Sequence, residues 1–111
     1  MFQAAAREVR EETGLTAQRW WLMETPLLVL GDRGHLSVLP RFAAEVAAGS
    51  KVRVSSEHDA HAFLLLATAA RRFLWDSQRE ALQDLRRQVL RGGPLARALE
   101  VPAAKFRRGA R

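Results

Sequence analysis

The segment Phe2–Thr13, FQAAAREVREET, constrains the fold of this chain more than any other stretch. Alanines and long polar side chains fill it, no Gly or Pro interrupts it, and Gly14 comes next. This composition predicts a helix over 2–13, stopped by a glycine free to adopt the left-handed conformation. Phe2, Ala5, Ala6 and Val9 recur at helical spacing and form an apolar stripe. Glu8, Glu11 and Glu12, at i, i+3 and i+4, fall on an adjoining face. The helix can therefore pack on a core and still present three carboxylates. Clustered oxygen ligands of this kind suit a hard divalent cation. Without a cation they repel one another, and Arg7, four residues before Glu11, can pair with it and reduce that cost.

The chain beyond Gly14 reads as β structure. Arg19 to Leu30, with Trp20, Trp21 and Leu27 to Leu30, predicts a strand or two short strands broken at Pro26. Gly31-Asp32-Arg33-Gly34 is a turn by composition, with His35 beside it, and His35 to Val46 is the returning strand, interrupted at Pro40. Of the adjacent Trp20 and Trp21, one is expected in the core and the other partly exposed. A short strand is expected near Val52–Val54, a strand over Glu57–Leu66 and a short helix over Ala67–Phe73. Asp76 or Ser77 can cap a final helix running to about Leu90, ended by Gly92-Gly93-Pro94. The class is α+β. Residues 1–91 read as the domain and 92–111 as a basic tail, disordered beyond Pro102.

The chain has 111 residues, no cysteine and a formal net charge of +6. One domain is the ceiling at this length. Disulfides and thiolate metal sites are excluded. No apolar run spans a bilayer, and the opening residues lack a signal-peptide pattern, so a cytoplasmic protein without membrane association is expected. The positive excess lies mainly after Arg86 and favours anionic partners. It lacks interleaved aromatics, Phe106 standing alone, which argues against a nucleic-acid interface. His58 and His61, at i, i+3 on a strand, point to opposite faces and make a poor zinc pair. There is no P-loop, no Ser or Cys nucleophile motif and no dinucleotide glycine fingerprint.

The run Arg7-Glu8-Val9-Arg10-Glu11-Glu12-Thr13-Gly14-Leu15 resembles the second half of the Nudix box, Arg-Glu-U-x-Glu-Glu-x-Gly-U with U a bulky aliphatic residue. A second stretch, Glu57-His58-Asp59-Ala60-His61-Ala62-Phe63-Leu64 followed by Phe73-Leu74-Trp75-Asp76-Ser77-Gln78-Arg79-Glu80-Ala81-Leu82, resembles nucleotide-cleaving Nudix members of the dATP and dihydroneopterin triphosphate pyrophosphatase type. The resemblance implies an α/β/α sandwich around a mixed sheet, with the catalytic helix at the N-terminus. It implies Mg²⁺ or Mn²⁺ on Glu8, Glu11 and Glu12, Arg7 orienting them, and Glu57 ligating metal or activating water; Glu8 also stands where some members have a base. The implied reaction is hydrolysis of a nucleoside triphosphate, or a related diphosphate-linked nucleotide, to a monophosphate and pyrophosphate. Trp75 is a candidate for stacking on a nucleobase, with core packing as its competing reading.

The box's opening Gly and first Glu would precede Met1, so the resemblance implies an incomplete fold with unpaired sheet edges. Self-association into a homodimer, by domain swapping or strand addition, would complete it. Two readings from other classes compete with the hydrolase. One is a non-catalytic remnant that binds nucleotide, metal or protein; the other is an RNA-binding module using the basic C-terminal region.

Overall fold

The computed structural model describes residues 1–52 and 76–107. The strands expected near Val52–Val54 and over 57–66, the helix over 67–73, and Glu57, His58, His61 and Trp75 lie outside the described residues, wholly or, for the first, in its greater part. Helix α1 spans Phe2–Thr13 and ends at Gly14, which adopts φ 73°, ψ 7° and donates its N–H to Arg10 O at 2.8 Å. Strands β1 (Arg19–Leu22), β2 (Leu27–Leu30), β3 (Leu36–Leu39) and β4 (Phe42–Glu45) come next. Helix α2 (Asp76–Leu85) runs into a π-helical segment, Arg86–Leu90, and then come α3 (Gly93–Leu99), β5 (Glu100–Val101) and a 3-10 turn, Ala103–Phe106. The class is α+β. No helix among the described residues is long and apolar enough to cross a membrane.

The four central strands form one long hairpin broken in two. Its inner part pairs β1 with β4, antiparallel, from Arg19↔Glu45 to Leu22↔Phe42. Its outer part pairs β2 with β3 from Leu27↔Leu39 to Leu30↔Leu36. Pro26 and Pro40 stand at the break, and each lacks the N–H that a continuous ladder needs. β5 adds to β1 on its other side, giving the order β4-β1-β5, while β2-β3 is a separate two-stranded sheet. Every pairing among the described residues is antiparallel, so the parallel neighbour that a mixed sheet requires is not among them.

The β4-β1-β5 sheet is covered on both faces. Trp20 faces α1 and the 3-10 turn, in a cluster with Ala6 and Phe106 flanked by Phe2, Val9 and Phe42. Trp21, pointing the other way, packs with Met23, Ala43 and Val89, flanked by Leu85 and Leu99. The expectation that one tryptophan would be partly exposed is corrected: both are buried. The reason is the helical layer on the second face. Arg19 lies over the Trp21 ring at 4.9 Å, and the buried Trp21 Nε1 has no hydrogen-bond acceptor among the described residues.

Of the basic tail expected over 92–111, with disorder beyond Pro102, residues 93–106 lie as α3, β5 and the 3-10 turn against the sheet. Phe106 is 5% exposed and stacked on Trp20, with ring centroids 4.2 Å apart. β5 pairs with Trp20 and Trp21, and Gln3 Nε2 donates to Arg107 O at 3.0 Å. One aromatic anchor and a two-residue ladder hold a segment whose composition reads as a solvated tail. The junction with the outer hairpin is held as firmly. Arg41 donates to Thr25 O and to Asp84 Oδ2, both at 2.7 Å. Gln88, fully buried in the π-helical segment, accepts the Glu24 N–H through Oε1 at 2.6 Å.

Arg19 pins β5 to β1 by a two-point contact with Glu100, Nη2–Oε1 2.7 Å and Nε–Oε2 3.1 Å. These hydrogen bonds hold the Glu100 carboxyl below its ordinary value, against a smaller opposing effect of desolvation. A carboxyl with a depressed folded-state pKa contributes stability above its unfolded pKa and loses it as pH falls through the folded value. Arg19→Gln is therefore expected to lower the urea midpoint at neutral pH and to narrow its deficit in acid. A deficit independent of pH would show that the pair is not made in solution.

Candidate functional site

Helix α1 divides into three stripes. Phe2, Ala5, Ala6 and Val9 face the sheet. Glu8, Glu11 and Glu12 are all exposed on an adjoining side. Arg7 and Arg10, three residues apart, share a third side with Gln3. The C-terminal end is fixed locally: Thr13 Oγ1 donates to Val9 O at 2.6 Å and accepts the Leu15 N–H at 3.2 Å, while Gly14 makes the left-handed turn. These contacts set where the last helical turn, with Glu11 and Glu12, meets the chain leading to β1.

Arg7 Nε lies 3.9 Å from Glu11 Oε1, and both side chains are largely solvent-exposed. Such a contact orients weakly and contributes little to stability. Among the described residues, no three acidic or histidine side chains converge into a group able to cage an ion. The donor set on α1 is nevertheless chemically consistent with Mg²⁺. That ion keeps several waters and takes one or two carboxylates from the protein, and three exposed glutamates within one helical turn offer this without a closed cage. Of the candidate site residues, the structure brings Arg7, Glu8, Glu11 and Glu12 to the solvent side of one helix; Glu57 and Trp75 lie outside the described residues.

Two cationic side chains were not singled out by the sequence. Arg10 and Arg107 line one cleft of about 450 Å³ together with Thr16, Gln18, Ala103 and the edges of Trp20 and Phe106. Arg10 was readable as a neighbour of Arg7 on the helix, but its juxtaposition with Arg107 depends on the docking of the 3-10 turn. An open apolar cavity of about 440 Å³ lies on the other face of the sheet, lined by Met23, Phe42, Ala81, Leu82 and Leu85, with Arg41 and Gln78 as polar groups.

No protein-family model, no curated protein and no solved structure matches this chain.

Proposed function

We propose that this chain contributes the metal-binding helix of a Nudix-type hydrolase that cleaves a nucleoside triphosphate, or a related diphosphate-linked nucleotide, to a monophosphate and pyrophosphate. The observation that supports the reading is the placement of the whole run Arg7–Leu15. Its Arg7–Thr13 part is the second half of α1, which ends at a left-handed Gly14, with Glu8, Glu11 and Glu12 exposed together and the apolar stripe turned inward. Bound Mg²⁺ would neutralise phosphate charge and help to activate water. Glu8, Glu11 and Glu12 would hold it, and Arg7 would orient Glu11 through their contact. Water would add to the α-phosphorus and give up a proton, with Glu8 as the candidate base; the bond from the α-phosphorus to the α–β bridging oxygen would break, and pyrophosphate would leave with the electron pair. The test is pyrophosphate release from a panel of ribo- and deoxyribonucleoside triphosphates. Release that requires Mg²⁺ or Mn²⁺ and is abolished by chelation supports the reading; no release from any nucleotide with either metal rejects it for this chain.

A second reading, a self-associating interaction module, is favoured by the outer hairpin. Leu28, Leu30, Leu36 and Val38 share one face by register and are 60–74% exposed. A two-stranded sheet is marginal alone, and an apolar face of this kind normally marks an interface. The face carries no charge, so a second copy of the same face is its best-matched occupant, related by a two-fold axis. Leu28→Glu is expected to weaken such a dimer by roughly 100-fold, read by sedimentation velocity across a dilution series. A wild-type chain that stays monomeric throughout the micromolar range would dismiss the module.

A further inference from the structure

The arginine side of α1, not its glutamate side, carries a separate binding feature. Gln3 ties α1 to the 3-10 turn through its bond to Arg107 O. Arg107 and Arg10 line one cleft beside that contact, with Thr16 and Gln18 as neutral polar residues of the same lining. On the far side of Phe106 a second cleft, about 540 Å³, is lined by Met1, Gln3, Ala4, Arg7 and again Arg10. Arg10 thus lies where the two meet. Neither lining contains an aspartate or glutamate. Among the described residues, Arg10, Lys105 and Arg107 make no ion pair. Uncompensated cations that share a concave wall focus a positive potential and favour an anion of matching length. Guanidinium groups bind phosphate by two parallel, charge-assisted hydrogen bonds.

We propose that this groove between α1 and the 3-10 turn binds a polyphosphate chain, with Arg10 and Arg107 gripping adjacent phosphates and Arg7 extending the site past Phe106. The ligand is read by its phosphates and not by a base. The aromatic rings at the floor are buried and spent on each other, Trp20 and Phe106 being stacked at 9°. The site's central pair, Arg10 and Arg107, uses no carboxylate and no metal, so it stands or falls independently of the hydrolytic reading; only Arg7, which also contacts Glu11, is shared.

Calorimetric titration of the full chain with sodium tripolyphosphate, in excess EDTA to remove metal and stop turnover, tests it. Arg10→Gln/Arg107→Gln is expected to raise the Kd at least about tenfold, the loss of one charge-assisted bond or more. Arg33→Gln/Arg91→Gln removes the same charge from exposed positions in other parts of the fold and is expected to leave the Kd within about twofold. Equal losses in the two double variants would reduce the effect to net charge and overturn the site, as would no binding of tripolyphosphate by the wild type. ATP should match tripolyphosphate; ATP binding more than tenfold tighter would show a base-reading site and overturn the proposal as stated. Unchanged far-ultraviolet circular dichroism in both variants confirms that the comparison is between folded chains.

Discussion

Phe106→Ala is expected to cost about 3–5 kcal/mol, the range for truncating a buried aromatic side chain. The site lies in a short 3-10 turn near the C-terminal end, where a substitution would ordinarily be silent. Phe106 instead stacks on Trp20 at 4.2 Å and meets Phe2 and Phe42 edge-on at 5.2 and 5.8 Å. Truncation removes one partner from each of these pairs and opens a void between α1 and the sheet. Aromatic pairs add roughly 0.5–1.5 kcal/mol beyond area burial, so the upper end of the range is the better guide. Single domains have only about 5–15 kcal/mol in total, so the variant should be close to unfolding at 37 °C. Phe106→Leu should recover a large part of the loss. Urea unfolding followed by tryptophan fluorescence measures both, since Trp20 reports on the cluster directly. Wild-type stability in Phe106→Ala would mean that the 3-10 turn does not dock in solution, and the proposed phosphate groove would lose its second wall.

Glu11→Gln should produce the opposite division between stability and activity. The side chain is exposed, glutamine is nearly isosteric and an equally good helix former, and the Arg7 contact at 3.9 Å is worth little. The stability change should stay within about 0.5 kcal/mol. If Glu11 holds the metal, pyrophosphate release should fall at least about 100-fold, because the amide replaces an anionic ligand by a neutral one that binds the cation poorly. A folded variant with that loss would tie activity to this carboxylate. A folded variant releasing pyrophosphate at the wild-type rate would sink the metal assignment. Glu12→Gln should act in the same direction, which separates a shared ion site from a single activating base.

The local elements were legible because their causes are local. Uninterrupted helix formers followed by glycine produce α1 and its left-handed stop. Bulky apolar residues broken at Pro26 and Pro40 produce two strand pairs in place of one long pair. The carboxylate face of α1 results from helical spacing alone.

Three features were not legible, each because it depends on contacts distant in sequence. Trp21 is buried because Val89, Leu85 and Leu99 come from a helical layer more than sixty residues away. The C-terminal segment is ordered through Phe106 because Trp20 supplies a flat surface for one aromatic ring and β1 an edge for Glu100–Val101. Composition, dominated there by alanine and basic residues, carries no trace of either. The grouping of Arg10 with Arg107 results from the same docking. Sequence by itself thus determined α1, the four strands of the broken hairpin and which carboxylates share a side, through propensity and period. Tertiary structure alone decided which faces are covered and which cations meet, because burial and charge clustering depend on elements brought together across almost the whole chain.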